Sequence, residues 1–327
     1  MPDHHILVVG VGRSGTNWLF DLLNLSPLTR CRNATHNAVP DSLLAPLIRG
    51  VAPLPREADL GLRWDAAIRA MAHGMGPLDG PIPVIKDHLS PLAQRFGFVR
   101  ALGSRRTRSA MSVFVPAFRQ QEWPVPGWVA SSASLDRAIP VLRTGESLAC
   151  LGWVLDERPD ARLLHMVRHP GGFANSWQSR FLSERDAERV RSTNLDRLRE
   201  VVRCAPDWSD RLGNIDVMTA EEAELWFWLY ATETAWQIGR EHDGYALVTF
   251  ESLAANLLET LRRVYAHCDL PLTDAVAQAA ERMPSRFSGK TVSAAEVANA
   301  WRSKLSPEHT VLVDRILADS PVRSFWE

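Results

Sequence analysis

Three short stretches carry residues whose types and spacing could do chemistry. The first is GVGRSGTNW, residues 10–18. Gly10 and Gly15 bracket four residues, and Thr16 follows. Glycines of this kind let the backbone approach a ligand, and the free N–H groups of a following helix point at it. The natural occupant is an anion. A nucleoside-triphosphate loop would end in glycine, lysine and a hydroxyl residue that holds Mg²⁺. Here the end reads Gly15-Thr16-Asn17, and the positive charge sits at Arg13 instead. Such a loop suits a smaller anionic group, held by the backbone, the hydroxyls of Ser14 and Thr16, and one cation.

The second stretch is LLHMVRHPGGFANSW, residues 163–177. An apolar run delivers Arg168, Pro170 opens a helix, and Ser176 lies on it. An arginine can grip a phosphate bidentately, and a serine adds a hydroxyl donor. The third is VIKDHLSP, residues 84–91. Read as a strand over 81–88, it turns Lys86 and His88 to one side. A cation beside a group that accepts a proton near neutral pH suits attack by a hydroxyl or amine.

Elements must bring these residues together. HILVVG (5–10), PIPVIKDH (81–88), ARLLHMVRH (161–169) and YALVTF (245–250) are apolar runs bounded by turn residues, and they predict strands. Helical patterns lie between them: from Thr16, over ESLACLGWVLDE, after Thr219 with Glu222 completing a capping box, after YALVTF, and from Ser306-Pro307. Alternating strands and helices predict an α/β three-layer sandwich with a mostly parallel central sheet. Ligands then bind beyond the carboxyl ends of the strands. Residues 1–327 read as one domain, with an irregular insertion at about 101–145 covering substrate.

GVGRSGTNWL resembles the 5′-phosphosulfate loop of sulfotransferases that use 3′-phosphoadenosine 5′-phosphosulfate (PAPS). That resemblance implies the P-loop NTPase-like sulfotransferase fold. It implies that Arg13, Ser14, Gly15, Thr16 and Asn17 hold the 5′-phosphosulfate and that Trp18 stacks on adenine. Arg168 and Ser176 look like the family's 3′-phosphate site. Lys86 and His88 resemble its lysine–any–histidine element, which would make His88 the base and Lys86, with Arg13, the cations at the leaving oxygen; His36, Asp65 and Asp87 stand in reserve. The family's C-terminal basic string is absent, leaving Arg286, Lys290 and Arg302 as candidates to close over the nucleotide. The activity implied is sulfuryl transfer from PAPS to a hydroxyl or amine of a partly apolar small molecule, with 3′-phosphoadenosine 5′-phosphate (PAP) released and no metal required. The competing readings are a P-loop small-molecule kinase and a non-catalytic nucleotide-binding protein.

Bulk properties agree with a globular enzyme. The 327 residues are 46% hydrophobic and 23% charged with a net charge of −1, so no global basic field exists for nucleic acid. The four cysteines form no metal or disulfide pattern, and no apolar run reaches the length of a bilayer span. A cytoplasmic protein is expected, with no membrane partner and nothing to indicate an oligomer.

Overall fold

A computed structural model describes residues 4–32, 51, 59–74, 86–95, 125–143, 148–181, 187–283 and 293–327. Five strands, β1 (His5–Val9), β2 (Thr29–Arg32), β3 (Ile139–Arg143), β4 (Ala161–Val167) and β5 (Tyr245–Thr249), form one sheet in the order β2-β3-β1-β4-β5. Every pairing is parallel, with Val8 opposite Arg143, Val9 opposite His165 and Val167 opposite Thr249. β1, β3 and β4 are buried along their middles, which is why they read as continuous apolar runs.

Alternate strand residues feed two cores. Ile6, Val8, Leu164 and Met166 face α1 (Thr16–Leu23), together with later helices that begin at Phe250 and Leu257. Leu7, Val9, Leu163 and Val167 face the other side. There they meet α2 (Leu148–Glu157), α3 (Pro170–Phe181), α4 (Ala187–Cys204) and α5 (Ala220–Gly239). Helices cover both faces, and the fold is the α/β sandwich expected. Among the described residues no helix is long and apolar enough to cross a membrane.

Several local expectations change. The strand expected over 81–88 is not formed where the structure describes it: Lys86–Leu89 is a turn, closed by Leu89 N–H donating to the Lys86 carbonyl at 3.1 Å. Residues 81–85 lie outside the described residues. β2 and β3 take its place in the sheet. β3 falls inside the segment read as an irregular insertion and carries Pro140, a residue uncommon within strands. β2, TRCR, is short and polar. Half of the capping box at Thr219 forms, with its hydroxyl accepting from Glu222 N–H at 3.1 Å. The Glu222 carboxylate pairs with Arg315 instead of returning to the cap. Ser306 caps the final helix α10 (Pro307–Leu317) as its Ser-Pro start predicts. Between α5 and α10 run α6 (Phe250–Ala255), α7 (Leu257–His267), α8 (Ala294–Asn299) and α9 (Trp301–Lys304).

Candidate active site

The connection from β1 runs to β2 on one side and that from β4 to β5 on the other, so the carboxyl ends of the adjacent β1 and β4 flank a switch point. The loop after β1 supplies residues 10–15 there. Arg13 takes φ 75° and Gly15 φ 97°, both left-handed. A Cβ on Gly15 would lie 2.6 Å from the Phe250 ring, so glycine also keeps this turn tight against the core. No side chain caps the N-terminus of α1; the Trp18 N–H donates back to the Gly15 carbonyl at 2.9 Å, which leaves the N–H groups of Thr16 and Asn17 for a ligand. Ser14 and Thr16 are buried beneath the loop, while Arg13 and Asn17 are exposed at its rim.

The loop reaches across to the second motif. Arg13 Nε and Nη2 donate to Ser176 Oγ at 3.0 and 2.8 Å, joining residues 163 apart in sequence. Arg168 ends β4 on the same side. Its guanidinium lies 4.5 Å above the Phe250 ring, and Nη2 donates to the Val297 carbonyl at 3.2 Å. Its Nε has no hydrogen-bond partner among the described residues, although the side chain is 4% exposed. Burial first, opposed by Glu251 and reinforced by Arg13, lowers its pKa to about 10. One guanidinium thus holds a serine hydroxyl, and a second, within electrostatic reach of the first, is buried with a donor unsatisfied. This arrangement calls for an anion.

The glycines of HPGG explain how Arg168 fits. A Cβ at Gly172 would lie 2.8 Å from Arg168 Nε, and one at Gly171 would run into the Trp301 indole. Trp301 stacks on His169 with ring centroids 4.3 Å apart, and the Arg302 guanidinium lies 4.7 Å from the Trp301 ring centroid. Arg302 therefore stands near this end of β4, whereas Arg286 and Lys290 lie outside the described residues. His169 Nδ1 accepts from Gly171 N–H at 3.1 Å and caps α3. Trp18 is only 8% exposed and packs against Phe250 at 5.5 Å, inside the core under α1. A ring so enclosed shows a ligand little of its face.

Lys86 and His88 require a correction. Lys86 Nζ donates to the carbonyls of Asn24 and Ser26 at 2.7 and 2.6 Å and to Thr29 Oγ1 at 3.1 Å. Asn24 and Ser26 belong to the turn between α1 and β2 and Thr29 opens β2, at the amino ends of the strands. The full length of α1, about 12 Å for its eight residues, separates that turn from the anion loop. Three acceptors use all three ammonium protons. Burial lowers its pKa to about 8, and the group serves as a tie between elements. His88 shares this pole. It is 3% exposed, and neither ring nitrogen has a hydrogen-bond partner among the described residues. Burial, then Arg30 and Lys86, push its pKa down to about 3. The reserve bases fare no better: Asp65 pairs with Arg158 at 2.9 Å, Asp87 is exposed on the Lys86 turn, and His36 lies outside the described residues.

The unsatisfied imidazole gives a first prediction. His88→Leu is expected to leave turnover within about threefold of wild type and to raise stability by about 1 kcal/mol, because an unpaired buried polar group is removed at similar volume. Since the folded pKa lies below that of the unfolded chain, the unfolded state binds the extra proton. Stability due to this group falls as pH drops below about 6.5, and the leucine variant should lose stability less steeply on acidification. Thermal melts at pH 7 and pH 5 with parallel rate assays check both statements. Lost turnover at unchanged melting temperature would return His88 to the chemistry.

Three residues near the site carried no strong sequence signal. Phe250 and Glu251 follow β5 directly, and only the sheet order puts them beside β4. Arg143 likewise ends β3 next to β1, partly buried near Asp21, which opposes the lowering of its pKa by burial.

The profile described as "Sulfotransferase family" matches residues 5–274, from β1 through both anion-binding motifs. No curated protein matches the chain in sequence. Among solved structures, the sulfotransferase domain from the curacin biosynthetic pathway aligns at 12% identity and TM-score 0.47, covering 97% of both chains. The sulfotransferase domain of the Synechococcus PCC 7002 olefin synthase aligns at 16% identity and TM-score 0.44, covering 98% of this chain and 96% of its own. Mouse sulfotransferase SULT7A1, solved complexed with PAP, aligns at 12% and 0.40, covering 99% of this chain and 88% of its own. With the family profile spanning most of the sequence, the chain belongs to the sulfotransferase family, whose chemistry is sulfuryl transfer.

Proposed function

We propose that the protein moves the sulfuryl group of PAPS to a hydroxyl or amine of a small-molecule acceptor. The observation that carries this reading is the Arg13–Ser176 contact beside Arg168. It joins a loop built for one anionic group to an arginine suited to a second, as a nucleotide phosphorylated at both 5′ and 3′ positions requires. Arg13, with the first-turn amides of α1, would hold the 5′-phosphosulfate and stabilise charge on the leaving phosphate oxygen. Arg168, with Ser176, would hold the 3′-phosphate. The new bond forms between acceptor oxygen or nitrogen and sulfur while the bond from sulfur to the 5′-phosphate breaks, releasing PAP, and the acceptor's proton passes to solvent. Lys86 and His88 have no part in this scheme.

Titration calorimetry tests the donor. PAP is expected to bind at least about 30-fold more tightly than ATP with Mg²⁺, a difference of about 2 kcal/mol from one well-placed charged contact. Preference for ATP with Mg²⁺ would make the protein a kinase. An acceptor screen with labelled PAPS then separates the enzyme from a nucleotide-binding protein without turnover.

A further inference from the structure

A carboxylate beside Arg168 does not pair with it. Glu251 follows Phe250, on whose ring the Arg168 guanidinium sits, and its carboxylate accepts from the N–H of His169, the next residue after Arg168, yet the two form no ion pair among the described residues. Both of its oxygens are committed elsewhere. Oε1 accepts from His169 N–H at 3.1 Å, and Oε2 accepts from the Trp326 indole N–H at 2.9 Å. Trp326 belongs to the 3-10 turn Pro321–Trp326, packed after α10. Its ring meets His169 edge-on at 5.2 Å and Trp228 at 6.1 Å, so the indole is held on more than one side.

A half-buried carboxylate beside a buried guanidinium with an unsatisfied N–H should be drawn into a salt bridge. What stands against that is the pair of N–H donors on Glu251. We propose that Trp326 is a positioning residue: its indole N–H keeps Glu251 away from Arg168, so the guanidinium stays open to the ligand's 3′-phosphate. Without the indole donor, one carboxylate oxygen loses its partner, and the remaining partner of suitable charge is Arg168. Glu251 would then compete with the ligand. The inference rests on the nucleotide reading above and adds to it a residue far along the chain from every sequence motif.

Full-chain variants titrated with PAP and with AMP test it. Trp326→Phe keeps an aromatic ring and removes the N–H. It is expected to weaken PAP about tenfold, the scale of one charge-assisted contact, with AMP changed less than about twofold. Adding Glu251→Gln removes the competing charge, and the double variant should recover PAP affinity to within about threefold of wild type. Glu251→Gln alone should hold PAP affinity at that level too, and it decides the matter if the phenylalanine variant does not fold. Equal weakening of PAP and AMP, a double variant as weak as the single one, or selective loss of PAP in Glu251→Gln would overturn the proposal. Wild-type protein that binds PAP no better than AMP would overturn the nucleotide reading and this inference together. Wild-type preference without the expected variant behaviour overturns the inference alone.

Discussion

Arg168→Ala is expected to weaken PAP about 100-fold, or roughly 2.7 kcal/mol, while AMP changes less than about threefold. The size follows from burial. Arg168 is 4% exposed, and its cation faces no paired carboxylate among the described residues, so a phosphate would meet it with little competing water. Arg168→Lys should rescue poorly, because a point charge lacks the planar fork and would lose both the seat on Phe250 and the bond to the Val297 carbonyl. The same burial predicts an opposite effect on the fold. An enclosed guanidinium with an unsatisfied Nε costs free energy in the empty protein, so Arg168→Met should melt no lower than wild type. Calorimetry with both nucleotides and a thermal melt check these statements. If alanine weakens PAP and AMP alike, Arg168 is not the 3′-phosphate ligand.

The largest effect on the fold is expected from Gly10→Ala, at about 3–5 kcal/mol with nucleotide binding lost alongside. Gly10 has φ 151°, and a Cβ there would run into the Met166 carbonyl oxygen and lie 3.1 Å from Thr16 Cγ2. The carbonyl cannot retreat, because β4 is locked to β1 on one side and to β5 on the other. Relief must come from the loop, which would pull Arg13 and the α1 amides out of place. Gly12→Ala is the control: a Cβ there meets nothing within 4 Å, and the variant should fold like wild type. A melt and a far-UV spectrum of each suffice. A Gly10→Ala protein as stable as wild type would mean the loop lies differently against β4.

Some of this was legible from the residues. β1 and β4 announced themselves because buried parallel strands are uninterrupted apolar runs, half-buried β5 did so by its apolar YALVT stretch, and the glycine loop announced itself because close backbone approach needs glycine. β2 and β3 were hidden, one by its arginines and one by Pro140. Lys86 and His88 misled for a physical reason. A cation beside a histidine looks the same whether it serves chemistry or ties a turn, and only the carbonyls around the ammonium tell them apart.

The sequence by itself determined an α/β sandwich, a glycine loop around Arg13 and a second cation at Arg168, because each depends on residues close along the chain. The tertiary structure alone decided that Arg13 meets Ser176 on the helix after Arg168 and that Lys86 and His88 do not join them. It also brought Phe250, Glu251 and Trp326 around Arg168. Strand order and the packing of distant helices are set by the summed burial of two cores, and no local window of residues contains that sum.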